Sequence, residues 1–291
     1  MGIGPLALVL IFANALAWSG LDVMRKVLTK DLSSTALVTL LTLGQAPAFV
    51  VWAVIDGGWF RDAGYLLPGL GCLLINLLAN VAFVRALALS PLSLTIPFLS
   101  FTPVFASLLA IPMVGELPTA VQALGIAAVV AGALLLHAGS GAGVLGLFRA
   151  FARERGSVLM VIVAAMWSCT AVLDKVALSH ASLAAHALVQ TAGIGIVLLL
   201  YLLARGRGAE LGGVRGASAA MLGAVAFATA ALALQLAAIQ ATLVAIVETV
   251  KRAVGMVMSV VLGRLVFAEP VTGAKVVAIV VMAAGTAAIV L

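Results

Sequence analysis

Glu248, Lys251 and Arg252 lie in the first half of a long apolar run, 241–267. Spacings of three and four residues set the acid and both bases on one side of a helix, where their side chains meet. A helix starting near Ala241 carries Lys251 about 15 Å along its axis at about 1.5 Å per residue, near a bilayer midplane. Ionisable groups at that depth are costly and mark functional sites by default. Two readings stand side by side. The three residues form an internal ion pair that locks the helix, or, since one acid faces two bases, the unpaired cation holds a carboxylate.

Other polar and aromatic residues sit at comparable depth. Asn14 precedes Trp18 by four residues, so the two share a face; Asn76 and Asn80 do the same in a later run, and Gln235 adds another neutral polar group. Such groups belong against protein or water rather than lipid. Trp18 lies seven residues before Arg25, about 10 Å inside the level at which that arginine marks the headgroups, too deep for an interfacial belt. Trp167 occupies the matching place in a second stretch, whereas Trp52 and Trp59 fit the belt. Pro97, Pro103 and Pro112 fall in one apolar run. Each removes a donor and frees the carbonyl four residues earlier, notably at Ser93 and Leu99, which predicts a kinked helix facing protein or a wet cavity. Phe98, Phe101 and Phe105 form a helical stripe that either stacks on an aromatic ligand or packs into core or lipid. Gly255, Ser259 and Gly263 form a small-residue stripe suited to sliding or to static close packing.

Catalytic and metal chemistry find little support. Cys72 and Cys169 are isolated and read as small packing residues, and His137, His180 and His186 read as interfacial residues near helix ends without metal-ligand spacing. No cofactor, no nucleic-acid partner and no catalytic residue is expected. Glu116 and Glu269 fall in turns before helix restarts at Pro118 and Pro270, where the dipole of the following helix accounts for a carboxylate.

The elements that carry these residues follow from composition: 65% of the 291 residues are hydrophobic and 9% charged, too few polar groups for the surface of a soluble domain. Ten apolar runs approach the roughly 20 residues that cross a bilayer as a helix: 4–24, 34–55, 66–89, 92–114, 118–138, 157–178, 182–203, 216–238, 241–267 and 270–290. The dyad alternation of a membrane barrel is missing. The expected fold is an all-α integral membrane protein. Ala15-Leu16-Ala17 resembles a signal cleavage site, but no basic residue precedes the apolar run, so the segment reads as a first helix.

Two copies of a motif organise the runs. Ala17-Trp18-Ser19 leading to Arg25-Lys26 matches Met166-Trp167-Ser168 leading to Asp174-Lys175, and Val114-Gly115-Glu116-Leu117-Pro118-Thr119 matches Phe267-Ala268-Glu269-Pro270-Val271-Thr272. The chain therefore divides into a five-helix repeat over 1–138, a linker over 139–156 and a second repeat over 157–291. Five helices per repeat force the copies to insert in opposite directions. Arg25, Lys26, Lys30, Arg85, Arg149, Arg153, Arg155, Arg205, Arg207, Arg215, Arg264 and Lys275 fall on odd-numbered connections, against Arg61 and Lys175 on even ones. Basic residues stay on the cytoplasmic side, so the odd connections are expected there and both termini on the far side.

Arg85-Ala86-Leu87, Phe101-Thr102-Pro103-Val104-Phe105, Gly115-Glu116, and Glu248 with Lys251-Arg252 leading to Ala268-Glu269 resemble the EamA family of the drug/metabolite transporter superfamily across essentially the whole chain. Overall length, the tight ten-helix layout and the basic pair in helix 9 are similar to YddG-type exporters of aromatic amino acids. The resemblance implies a multi-pass bacterial inner-membrane protein, monomeric or weakly oligomeric, exporting a small molecule by alternating access between inverted repeats. It also implies a pathway lined by helices 1, 3, 4, 6, 8 and 9, with 5 and 10 behind, where Ala123, Ala127 and Ala131 would pack closely. The first helix lacks the membrane glutamate of small multidrug exporters. A cationic-drug exporter and a passive channel are the competing expectations.

Overall fold

Long runs of Leu, Ala, Val and Ile offer the backbone one way to satisfy its N–H and C=O groups in lipid, the α-helix. A computed structural model describes residues 4–89, 96–138, 155–267 and 272–290. Among them are α1 (Pro5–Leu28), α2 (Ser34–Asp56), α3 (Leu66–Leu89), α4 (Thr102–Val114), α5 (Ala120–Ala138), α6 (Arg155–Leu178), α7 (Leu183–Ala204), α8 (Ser218–Ala241), α9 (Val244–Phe267) and α10 (Gly273–Val290). Six of these, α1, α2, α3, α6, α7 and α8, include spans long and apolar enough to cross a membrane, and α4, α5 and α10 contain shorter apolar segments. The 24-residue α9 carries Glu248, Lys251 and Arg252. Short 3-10 turns cover Ala63–Tyr65, Ile96–Phe101 and Gly208–Gly216. The linker at 139–154 and the turn bearing Glu269 lie outside the described residues.

The fourth run is broken more sharply than a kink. A 3-10 turn over Ile96–Phe101 gives way to α4, with Pro103 in the first helical turn and Pro112 inside. Pro103 thus starts the helix, where its missing N–H costs nothing. The freed carbonyl of Leu99 accepts from Thr102 Oγ1 at 2.6 Å, while Ser93 lies outside the described residues.

Packing runs chiefly between the repeats, and it is symmetric. The principal partners are α1 with α8 and its counterpart α6 with α3, then α2 with α7 and α5 with α10; α1 with α9 mirrors α6 with α4. Even the caps repeat. Ser33 caps α2 by accepting from Ala36 N, and Ser182 caps α7 by accepting from Ala185 N, at the offset that separates Trp18 from Trp167.

The connections sort onto two ends. The α2–α3 connection meets the α6–α7 turn through Arg61 N to His180 O (2.8 Å) and Ser182 N to Trp59 O (2.9 Å). Glu116, after α4, accepts at 2.8 Å from Val244 N at the start of α9 and pairs with Lys175 near the end of α6. At the opposite end Ser33, after α1, donates to Glu210 in the α7–α8 connection at 2.5 Å. Hydrogen bonds from Arg207 and then Ser33 hold the Glu210 carboxyl below its usual range. The turns after α1 and α6 are counterparts in the two repeats and fall at opposite ends, so the repeats run in opposite directions. Beyond its place before helix 5, where the helix dipole is expected to account for it, Glu116 hydrogen-bonds the N-terminus of α9.

The face of α5 that packs on α10 also differs from expectation. Ala123, Ala127 and Ala131 are exposed; Gly125 and Gly132 make the approach. A Cβ on Gly125 would sit 2.5 Å from Ile289 Cγ1 and 2.7 Å from the Gly285 carbonyl oxygen, and one on Gly132 would sit 2.5 Å from Met282 Cγ. On α3 an exposed stripe of Leu67, Leu70, Leu74 and Leu78 backs a column of Cys72, Asn76 and Asn80 turned inward. Lipid takes the first face and protein the second. Gly125→Leu should overpack α5 against α10 and cost about 1–3 kcal/mol, lowering the melting temperature in detergent. Ala127→Leu, on the exposed face, should leave it unchanged.

Candidate functional site

Five helices bring charges and aromatic rings together at the centre. Helix α1 supplies Asn14, Trp18, Asp22 and Arg25 at spacings of three and four, so all four share one face. From α3 come Asn80 and Phe83, from α6 Trp167, from α8 Gln235, and from α9 Glu248, Lys251 and Arg252. Arg25 lies over Trp18 at 5.6 Å and over Phe83 at 5.5 Å, Lys251 over Trp18 at 5.6 Å, and Arg252 over Trp167 at 5.6 Å. The Phe83 and Trp167 rings are 4.8 Å apart. A ring face stabilises a desolvated cation by about 2 kcal/mol, and each of these three cations has one.

The carboxylates complete the arrangement. Glu248 pairs with Lys251 and, at 3.7 Å, with Arg252, and Asp22 pairs with Arg25 at 3.6 Å. Lys251 also donates to Gln235 Oε1 at 3.0 Å, and Arg25 to Asn80 Oδ1 at 3.3 Å. Glu248, Arg25 and Lys251 are 1%, 5% and 7% exposed. In direct contact here three cations meet two carboxylates, a local excess of positive charge that Asp174 on α6 offsets only at longer range. Several buried polar atoms here have no hydrogen-bond partner among the described residues: both amide atoms of Asn14, Trp18 Nε1, and Nε of Arg25 and Arg252. Buried donors ordinarily find partners, so a cluster of unsatisfied ones around an excess cation suits a ligand with acceptor oxygens.

Most residues singled out from the sequence converge here. Asn80, Trp18, Trp167, Gln235, Glu248, Lys251 and Arg252 are joined by the contacts above. Phe98 and Phe101 belong to the apolar cluster containing Trp18, Trp167 and Phe83, with Phe101 and Phe105 6.4 Å apart. Pro97 lies in the 3-10 turn before α4. A Cβ on Gly255 would come 3.9 Å from Ser19 Oγ, so Gly255 faces α1. Asn76 turns to Cys72 instead.

Arg25 is the main residue missed. Counted above as a surface charge after helix 1, it is instead buried within α1, which extends to Leu28. The headgroup marker used to place Trp18 is therefore withdrawn: Arg25, in the last turn of α1, is enclosed by protein. The signal was present in the i to i+7 spacing that puts Arg25 on the Trp18 face. Phe83 carried no distinguishing signal in a run of Val, Ala and Leu.

A second buried network corrects two further expectations. His186 lies in the first turn of α7, near the helix end as expected, but is enclosed by protein rather than exposed, and Cys72, read as isolated, touches Asp174. Tyr65 OH meets His186 Nδ1 at 2.9 Å, His186 Nε2 meets Asp174 Oδ1 at 2.9 Å, and Cys72 Sγ donates to the same oxygen at 2.8 Å. Donors around a tetrahedral zinc with bonds of about 2.0–2.3 Å stand about 3.3–3.5 Å apart, so these spacings describe hydrogen bonds. Asp174 is the repeat counterpart of Arg25.

A family model for the EamA-like transporter family matches residues 5–138 and again 154–291. The chain belongs to the EamA-like transporter family and is a multi-pass membrane protein of transporter type. A crystal structure of a protein 16% identical in sequence has a TM-score of 0.70, covering 97% of this chain and 95% of that one; at this identity the likeness concerns the fold alone. No curated protein sequence matches the chain.

Glu248 is the carboxylate shared by Lys251 and Arg252. Replacing it by Gln strands two buried cations and should cost about 3–5 kcal/mol, seen as a large drop in melting temperature in detergent. Lys251→Met, which leaves Glu248 paired with Arg252, should cost less.

Proposed function

We propose that this chain exports aromatic or other amphipathic amino acids, or related small carboxylate-bearing metabolites, by alternating access of its two repeats. The supporting observation is the excess buried cation among Arg25, Lys251 and Arg252, each lying against an aromatic ring. A substrate carboxylate compensates that charge and accepts from the unsatisfied guanidinium donors. Its ammonium meets Glu248 or the oxygens of Asn14 and Gln235. An apolar or aromatic side chain replaces one cation on the faces of Trp18, Phe83 or Trp167. Phe98 and Phe101 close the apolar side, and Gly255 gives α1 room to move against α9.

Inverted repeats supply the motion. Contacts mirrored across the repeats, α1 on α9 and α6 on α4, can exchange geometries, opening the centre first to one end and then to the other. The bias of basic residues toward odd-numbered connections places those connections in the cytoplasm, even with Arg25 withdrawn from the tally. The excess positive charge disfavours a cationic drug as substrate, since it would enter a site already rich in cations. A passive channel would show unsaturated flux.

In liposomes containing the purified protein, labelled tryptophan or phenylalanine should exchange with unlabelled amino acid and saturate with concentration. Arg252→Gln or Arg25→Gln should reduce exchange at least tenfold, as expected for a lost charged contact worth about 1.4 kcal/mol or more. Exchange no faster than in empty liposomes defeats the amino-acid assignment. Exchange of quaternary amines in its place restores the cationic-drug reading.

A further inference from the structure

The buried network around Asp174 connects to the central cations by a column of hydrogen bonds that changes from side chain to backbone carbonyl at Asn76. It starts at Tyr65 in the 3-10 turn after α2, passes through His186 and Asp174, and reaches Cys72 on α3. Asn76 Nδ2 donates to Cys72 Sγ at 3.4 Å, Asn80 Nδ2 donates to Asn76 O at 2.8 Å, and Arg25 donates to Asn80 Oδ1 at 3.3 Å. From Cys72 to Asn80 the column climbs α3 by about 12 Å. Its outer end lies beneath the connection where His180 Nδ1 meets Asp62 Oδ1 at 2.7 Å, and Asp62 also caps the Tyr65 turn.

We propose that His186 and Asp174 form a proton-binding site coupled through this column to the central site, so that substrate movement draws on a proton gradient. The coupling to substrate rests on the transport reading above; the proton site does not.

The His186–Asp174 pair has two hydrogen-bonding states that differ by one proton. An ionised Asp174 only accepts, so His186 Nε2 carries hydrogen and Nδ1 accepts from the Tyr65 hydroxyl. A proton added at Nδ1 turns the ring into a two-donor imidazolium and its ion pair with Asp174 is charge-matched. Tyr65 oxygen then accepts, and the hydroxyl hydrogen needs a new acceptor. Gln190 hydrogen-bonds Tyr65 through its side chain and donates from Nε2 to Gly69 O at 2.9 Å; a turn of its amide would bring Oε1, which has no partner among the described residues, to accept that hydrogen. The proton leaves by the same nitrogen, and no covalent bond other than that N–H is made or broken.

The surrounding charges permit the change. Facing the pair are Tyr65 from the 3-10 turn, Cys72 and Asn76 from α3, and Gln190 on α7; Lys251 on α9 acts on Asp174 through space. Helix α4 and its preceding turn contain no titratable side chain, and α8, which packs on both α6 and α7, contributes neutral Gln235. Arg25, at the inner end, is the residue whose contact with Asn80 changes when a substrate carboxylate takes its guanidinium.

Two measurements decide it. Histidine-labelled protein in micelles is followed by NMR, with His137 and His180 assigned by substitution; the His186 ring should pass from its one-donor to its two-donor form as the pH is lowered. A His186 ring held in one state throughout overturns the proton site, as does one stoichiometric zinc in the purified protein that Cys72→Ser removes. In proteoliposomes with the membrane potential clamped, a pH difference of about one unit should sustain about a tenfold tryptophan ratio at one proton per substrate. His186→Gln, and independently Gln190→Leu, should bring that ratio to about unity while exchange at equal pH continues. A wild-type ratio at unity despite active exchange overturns the coupling, as does a His186→Gln ratio that stays near tenfold. Absence of exchange without any gradient counts against the amino-acid reading alone, and the NMR result still stands.

Discussion

A charge withdrawn from water into a bilayer must be met by an opposite charge, a dipole or a ring face, and this constraint organises the molecule. Arg25, Lys251 and Arg252 cannot face lipid, so α1 and α9 turn inward and bring Asp22 and Glu248 with them. The rings of Trp18, Phe83 and Trp167 are then recruited from three helices. The apolar faces of the same helices, such as the leucine stripe of α3, are left outward. Hydrophobicity alone would place helices in a membrane without deciding which side of each faces in; for α1 and α9 the buried charges decide it.

The duplicated chain applies that constraint twice with different chemistry. Equivalent positions hold Arg25 in the first repeat and Asp174 in the second. One anchors the cation and aromatic cluster, the other a tyrosine, histidine and cysteine network. Helix pairing stays symmetric, with α1 on α8 mirrored by α6 on α3, so a shared framework supports two unlike buried sites. Glycine does similar service at the back, where Gly125, Gly132 and Gly285 allow α5 and α10 backbones to meet.

Reading inward from particular residues shows where sequence sufficed. Lys251 and Arg252 stood out because charge inside an apolar run is costly wherever that run packs. Trp18 and Trp167 stood out because their motif recurs. Arg25 did not, since a basic residue near a helix end resembles a surface anchor until α1 proves to run on to Leu28. His186 and Cys72 looked unremarkable because their partners lie on other helices, Tyr65 far away in the chain and Asp174 across a turn. Ala127 looked like a packing residue because small residues suit either lipid or helix contact, and only the position of α10 tells which.

Sequence by itself determined the class of molecule: apolar runs of membrane length and a recurring motif follow from local composition and from comparison of the chain with itself. Tertiary structure decided which faces meet. Contacts such as Arg25 with Asn80, Glu116 with Val244 and His186 with Asp174 join separate helices. Their energies depend on distances of a few ångströms that helical periodicity along one segment does not encode.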